Sequence, residues 1–142
     1  MTANVIHGSV LVHGTASGEV AALSSALSLW GGFDLETGAV ADVHHPQYGT
    51  TIADKILVMP GGRGSSSSSS ILLESARLGV NPLAIVITSR DPILVIGALV
   101  ADDLYRVRIP VVLVEAASLD RLVSGQFVEV NTEGENASIT IR

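Results

Sequence analysis

Residues 55–80 read KILVMPGGRGSSSSSSILLESARLGV, and this stretch decides the fold. The apolar run at 56–59 predicts a strand that is buried on both faces. A glycine-rich loop follows, and the serines at 65–70 are residues that commonly cap the start of a helix. The helix is predicted to run to about residue 78, with Gly79 ending it. The stretch therefore predicts a strand, a glycine-rich loop and a helix.

The same alternation continues along the chain. Residues 83–87 and 111–114 predict two more buried strands, and a helix between them is predicted from Pro92 to about Asp103. This order implies crossover connections and a central parallel sheet. Flanking elements are also predicted: strands at 9–13, 19–23, 39–43, 127–130 and 138–141, and a short helix at 119–123. We therefore expect one α/β domain over residues 1–142, with a central parallel sheet, flanking helices and an additional β layer.

The composition narrows the class of protein. Hydrophobic residues make up 47% of the 142 residues and charged residues only 15%, a surplus of apolar side chains that favours a partner interface. The formal net charge of −6 argues against a nucleic-acid-binding protein. The absence of cysteine excludes disulfides and cysteine ligation of a metal by these residues.

The apolar segments of the sequence predict the cellular compartment of the protein. The first residues lack the basic start and apolar core of a signal peptide. The longest apolar run, at 93–101, falls far short of the roughly 20 residues of a membrane span. We expect a cytoplasmic protein with no membrane partner.

The glycine-rich loop is the strongest candidate for a functional site. Ligands of parallel α/β sheets bind beyond the carboxyl ends of the strands, and a helix start stabilises an anion. Glycines let a backbone approach a ligand, and Arg63 supplies a positive charge. The loop lacks the lysine of a phosphate-binding P-loop and the glycine spacing of a dinucleotide site. A plain tight turn with capping serines remains the alternative.

Other polar residues are weaker candidates. His44 and His45 precede a proline, and at most one of them is expected to line a site, whereas His7 and His13 lie on early strands and are expected to be structural or solvent-facing. The remaining candidates are Asp34, Asp42 and Asp91, which could cap or bind, and Trp30, a core or interface anchor.

Several short motifs together resemble those of one family. They are LWGGFD at 29–34, TG at 37–38, Asp42, HP at 45–46, Gly49, KILVMP at 55–60, GRGS at 62–65, DPI at 91–93 and IP at 109–110. In their order and spacing they resemble the small subunit of aconitase X over residues 8–130.

The resemblance implies a swivelling β/β/α domain that closes over a site on a larger, metal-binding subunit. In this pattern Ser65, directly after Gly-Arg-Gly, is the base that removes a proton next to a carboxylate. Arg63, Gly64 and Ser66 are the expected contacts to the small carboxylate substrate, and the alternative role of Arg63 is to stabilise the serine alkoxide by its positive charge. The implied cofactor is iron or an iron–sulfur cluster, held by the large subunit and not by this chain, which would assist loss of the hydroxyl as a Lewis acid.

The resemblance leaves the substrate open. The favoured expectation is dehydration of cis-3-hydroxy-L-proline, and the alternative substrate is phosphomevalonate. Archaeal members of the family resemble phosphomevalonate dehydratases, and they place Thr-Val-Gly-Ser-Tyr or similar residues after the serine. Here serines follow Ser65. Two readings of other classes remain: a phosphotransfer swivel domain, which would need a histidine within 61–70, and a non-catalytic interaction domain.

Overall fold

A computed structural model describes residues 4–142, so the first three residues of the predicted domain lie outside the described part. The strands are β1 (Val5–Val12), β2 (Ala16–Ala22), β3 (Ile56–Val58), β4 (Ala84–Ile87), β5 (Val111–Leu113), β6 (Phe127–Glu133) and β7 (Asn136–Ile141). The long helices are α2 (Ser68–Leu78) and α3 (Pro92–Tyr105), and a 3-10 helix lies at Ala116–Arg121. The short segment α1 (Leu29–Gly32) is only partly helical, because Trp30 and Gly31 depart from helical φ and ψ.

All seven strands form one sheet, and that sheet closes into a barrel in the order β1-β5-β4-β3-β2-β6-β7. Strands β2, β3, β4 and β5 are mutually parallel, which confirms the central parallel sheet. The antiparallel strands belong to the same closed sheet: β1 pairs with β5 at one edge of the parallel strands, β6 pairs with β2 at the other, and β7 joins β1 to β6. Their apolar side chains pack against those of the parallel strands inside the barrel, so the predicted additional β layer is the opposite wall of the barrel. Closure pairs backbone groups that an open sheet would leave exposed at its two edges.

Each parallel strand contributes side chains to two apolar cores. Ile56 and Val58 point into the barrel, whereas Leu57 lies in the core between the barrel wall and the helices. The four residues of β4 alternate in the same way and are all buried. This two-sided burial explains why these strands read as continuous apolar runs.

The two long helices pack side by side on the outside of the barrel. Helix α2 ends at Gly79, whose φ of +75° is the left-handed conformation expected of a C-terminal glycine. A Cβ added to Gly97 of α3 would lie 2.9 Å from the carbonyl oxygen of Ser69, so the glycine allows the helices to approach closely. Helix α3 begins at Pro92 as predicted and continues two residues beyond Asp103.

Two predicted elements take other forms. Residues 39–43 form isolated bridges instead of a strand, because the backbone N–H of Val40 bonds to Thr50 and that of Ala41 bonds to Gly32. The helix predicted at 119–123 is a 3-10 helix that begins and ends earlier, at Ala116–Arg121.

Candidate functional site

A pocket of about 230 Å³ lies where the helices α2 and α3 begin, beyond the carboxyl ends of β3 and β4. It is lined by Leu27, Gly62, Arg63, Gly64, Ser65, Ser68, Arg90, Asp91, Pro92, Ile93 and Leu94. Since β3 and β4 are neighbours in the sheet, the loops that follow them meet at this edge. The glycine-rich loop therefore forms one wall of a concave site, at the place where parallel sheets bind ligands.

The glycines of this loop are needed for contacts within the chain. A Cβ at Gly61 would lie 2.5 Å from the Ser89 hydroxyl oxygen, and a Cβ at Gly62 would lie 2.3 Å from a carboxylate oxygen of Asp91. Gly64 has a φ of +88°, which side-chain-bearing residues rarely adopt. The glycines were predicted to allow close approach of a ligand, and in the structure two of them lie against residues of the loop after β4.

Ser65 is partly buried and lies on the pocket wall. Its Oγ accepts a hydrogen bond from the backbone N–H of Ser67 at 3.0 Å, and its carbonyl oxygen accepts one from Ser68 at 3.0 Å. These bonds form the turn that leads into α2. The hydroxyl is therefore fixed at the positive end of a helix, with one backbone donor already directed at its oxygen.

The other serines of the run differ in position. Ser68 is buried and also lines the pocket, and its Oγ accepts a hydrogen bond from the Trp30 backbone N–H at 3.2 Å. Ser66 is exposed beside the pocket wall and not on it, and its carbonyl oxygen accepts a bond from the Ser69 hydroxyl. Of the four predicted site residues, the structure brings Arg63, Gly64 and Ser65 together in the pocket and leaves Ser66 at its rim.

Two arginines make the pocket electropositive. Arg63 and Arg90 are both exposed, and neither forms an ion pair within residues 4–142. Asp91 is the acidic residue among those that line the pocket, and its carboxylate accepts hydrogen bonds from the N–H groups of Ile93 at 3.0 Å and Leu94 at 3.2 Å. In a chain of net charge −6, this concentration of positive charge at two helix starts favours a bound anion.

Arg90 was not among the residues predicted for the site. Arg90 follows the second predicted parallel strand, and this position was the available signal. That position places Arg90 beside the glycine-rich loop only if the first and second parallel strands are neighbours in the sheet. Asp91 was predicted to cap or bind, and it caps α3.

The histidines lie away from this pocket. His45 is 7% exposed, its Nδ1 accepts a bond from the Gln47 backbone N–H at 3.0 Å, and its Nε2 lies 3.0 Å from the Ser25 carbonyl oxygen. Both ring nitrogens are thus engaged in holding a loop. His44 is exposed, and its backbone N–H donates to Asp42. Neither imidazole lines the pocket.

Asp42 and Asp34 also cap turns. The carboxylate of Asp34 accepts a hydrogen bond from the Glu36 backbone N–H at 2.8 Å, and this bond lowers the pKa of Asp34. Trp30 is 58% exposed next to Ser68, which agrees with an interface anchor and not with a core residue.

The described residues do not provide a metal site. Within residues 4–142, no three histidine, aspartate or glutamate side chains come together, and the one pocket carboxylate is used by the α3 cap. Separately, none of the helices over the same residues has the length and apolar character required to cross a bilayer.

The family model and the relatives described next agree on one family. The family model described as the aconitase X swivel domain matches residues 5–141. The chain is 41% identical to a protein of Hypocrea jecorina named cis-3-hydroxy-L-proline dehydratase, over 87% of this chain and 21% of that protein. It is 35% identical to a protein of Thermococcus gammatolerans named phosphomevalonate dehydratase small subunit, over 92% of this chain and 94% of that protein.

A solved structure has the same fold. The crystal structure of Thermococcus kodakaraensis aconitase X in its holo-form superposes with a TM-score of 0.85 at 32% identity, covering 99% of both chains. The chain therefore spans about a fifth of the fungal relative but nearly all of the relative from Thermococcus gammatolerans.

Proposed function

Since the chain belongs to the aconitase X swivel-domain family, we propose that it is the small subunit of a hydro-lyase and that Ser65 is the catalytic base. One observation supports this most directly: the Ser65 hydroxyl lies on the wall of an electropositive pocket, at the start of a helix, in a chain whose relatives are named dehydratases.

The proposed reaction is an elimination of water. The Ser65 alkoxide takes a proton from the carbon next to the substrate carboxylate, the electron pair of that C–H bond forms a carbon–carbon double bond, and hydroxide leaves from the neighbouring carbon. The proton on Ser65 and the hydroxide together account for the water released. A serine hydroxyl is a weak base at neutral pH, so its anion must be stabilised by the surrounding groups.

The pocket supplies such groups. The Ser67 N–H already donates to the Ser65 oxygen at 3.0 Å, and this hydrogen bond strengthens when the oxygen becomes an anion. The start of α2 adds its dipole, and Arg63 adds a positive charge. Exclusion of water by a covering subunit would strengthen all of these interactions.

The two arginines are suited to the substrate. A guanidinium binds a carboxylate through two parallel hydrogen bonds, and Arg63 and Arg90 are both free of ion pairs within the described chain. We assign the substrate carboxylate to this pair. Gly64 borders the same space with its backbone, and Ser66 at the rim is proposed to contact the substrate once the pocket is closed.

A second polypeptide is part of this proposal. The pocket is open, and Arg63, Ser66 and Arg90 are exposed to solvent. The proposed partner is the large aconitase X chain, which in this proposal holds the iron or iron–sulfur cofactor, because the described residues of this chain offer no ligand set for it. The isolated chain is expected to have no dehydratase activity.

Two substrates have specific support. The fungal relative is named for cis-3-hydroxy-L-proline, and the serines after Ser65 depart from the archaeal pattern, so this is the proposed substrate. Phosphomevalonate is the second candidate, because the chain covers 94% of an archaeal small subunit named for it. Both candidates carry a carboxylate, and Ser65 has the same role with either.

Replacement of Ser65 tests the proposal. In the enzyme reconstituted from both chains, we expect Ser65→Ala to lower kcat by about 10²- to 10⁴-fold, the usual contribution of a positioned base. Loss of the hydrogen bond from Ser67 should cost only about 1 kcal/mol in the free energy of unfolding, so the variant remains folded. Ser70→Ala, an exposed serine of the same run outside the pocket, is the matched control and should retain full turnover.

Each result has a clear meaning. Turnover of both substrates is measured by loss of substrate and formation of the unsaturated product. If Ser65→Ala stays within a few-fold of the unmodified enzyme while both are folded, Ser65 is not the base. The substrate that is turned over decides between hydroxyproline and phosphomevalonate.

A further inference from the structure

The outward face of α3 is apolar for most of its length. Residues 92–101 read PILVIGALVA, so none of their side chains carries a charge or a hydrogen-bonding group. Ile96 is 54% exposed and Leu99 is 52% exposed, and Pro92 is exposed one turn before them. These three residues are spaced by four and three positions, so they lie along one side of the helix. We call Pro92, Ile96 and Leu99 the α3 ridge.

The neighbouring helix shows that the fold does not require such a face. Helix α2 packs beside α3 on the same barrel, yet its outer positions carry Ser70, Glu74 and Arg77, the last two joined in an exposed ion pair, and its large exposed apolar residue, Leu78, is the last residue of the helix. Exposed isoleucine and leucine in a row are unusual where the adjacent helix presents polar groups to water. The apolar outer face of α3 is therefore a feature of this helix's own sequence and not a requirement of the barrel.

The α3 ridge begins at the candidate active site. Pro92 lines the pocket together with Ser65, and Leu99 lies about 10 Å further along the helix axis. A polypeptide that closed over the pocket would meet the ridge in the same movement. In the fungal relative about four-fifths of the length lies outside the region matched here, so in that protein a much larger part of the same chain accompanies this domain.

We propose that the α3 ridge is a docking surface for the large aconitase X chain. The inference rests on the proposed function and adds to it the face through which the two chains meet. The ridge offers apolar side chains and no charges, so the surface it fits on the large chain is an apolar groove at the edge of the active site. A second copy of this chain fits less well, because each copy has a net charge of −6 and carries Asp102 and Asp103 at the far end of the same helix.

Binding of the two purified chains tests the ridge. The large aconitase X chain from the same genome is titrated with this chain by calorimetry, using the double variant Ile96→Glu with Leu99→Glu. We expect the Kd to rise at least 100-fold, because two charges would have to be buried without partners. Phe127→Glu is the matched control: Phe127 is 50% exposed, lies on β6 outside the pocket lining, and should leave the Kd within about three-fold.

Further measurements keep the outcome decisive. Both positions are more than half exposed, so the variant should keep the circular dichroism spectrum of the unmodified chain. If it does not fold, Ile96→Ser with Leu99→Ser is used instead. Ser65→Ala should bind the large chain normally while its complex lacks activity, which separates docking from chemistry.

The results distinguish the two proposals. An active complex whose Kd is unchanged by the glutamate pair refutes the ridge and leaves the proposed function intact. If the unmodified chain does not bind the large chain at all, the proposed function fails. Self-association that the glutamate pair abolishes, measured by sedimentation, would assign the ridge to a second copy and overturn the proposal.

Discussion

Replacing Gly62 by alanine should damage the protein through a single neighbour, the Asp91 carboxylate. The added Cβ would lie 2.3 Å from Asp91 Oδ2, whereas ordinary contacts begin at 3.4 Å, so the carboxylate must retreat by about 1 Å. The other oxygen of the same carboxylate, Oδ1, caps α3 by accepting hydrogen bonds of 3.0 and 3.2 Å from the N–H groups of Ile93 and Leu94. Because the two oxygens belong to one rigid planar group, we expect the movement of Oδ2 to displace Oδ1 and to weaken or break both cap bonds. Gly62→Ala should therefore cost what loss of the cap costs, about 1–2 kcal/mol in the free energy of unfolding.

A double-mutant cycle isolates this effect. Asp91→Ala removes the cap and should also cost about 1–2 kcal/mol. Once the carboxylate is gone, the alanine at Gly62 has space, and its entropic effect on the unfolded chain is slightly favourable. We expect Gly62→Ala to cost almost nothing in the Asp91→Ala background, which corresponds to a coupling of about 1 kcal/mol or more.

Urea unfolding followed by circular dichroism measures all four proteins, with the slope against urea checked for constancy. Gly61→Ala is the control, because its Cβ meets the hydroxyl of exposed Ser89, which can rotate away. Its cost should add to that of Asp91→Ala. If the effects of Gly62→Ala and Asp91→Ala instead add within about 0.5 kcal/mol, the contact between them is not what makes the glycine necessary.

Two further predictions concern packing and substrate binding. Gly97→Ala places a Cβ 2.9 Å from the Ser69 carbonyl oxygen and 3.2 Å from Leu72 Cβ, so it should lower the free energy of unfolding by about 1–3 kcal/mol, and a raised thermal midpoint would contradict this. Arg90→Gln in the reconstituted enzyme should lower kcat/KM about 10- to 100-fold, because one charged hydrogen-bond partner of the carboxylate is lost. Arg121→Gln, an exposed control on the 3-10 helix, should leave kcat/KM unchanged.

Local signals in the sequence predicted the parallel part of the fold well. The apolar runs of β3 and β4, the serines before α2 and the proline at the start of α3 act over a few residues, so they can be recognised without knowledge of the rest of the chain. The glycine-rich loop was predicted as a candidate site for the same reason, because it follows a recognisable strand, whereas the choice of Ser65 among its serines came from the resemblance to aconitase X.

The closure of the barrel could not be predicted in this way. It depends on pairing β1 with β5 and β7, whose residues lie about a hundred or more positions away, and nothing in a short alternating strand specifies such a partner. Arg90 was missed for a related reason, because its approach to Arg63 depends on β3 and β4 being neighbours. Residues 39–43 have a strand-like sequence pattern, but their backbone groups form hydrogen bonds with nearby loops and only isolated bridges result.

The closed sheet restricts how another protein can bind. Many complexes form by strand addition, in which a peptide pairs with the free backbone of an edge strand. In the described chain every strand is paired with a neighbour on both sides, so no edge strand is free to pair with an added peptide strand. Specificity for a partner must come from side chains on helix faces and loop tips, and surface substitutions there can redirect binding without disturbing the backbone hydrogen bonds of the wall.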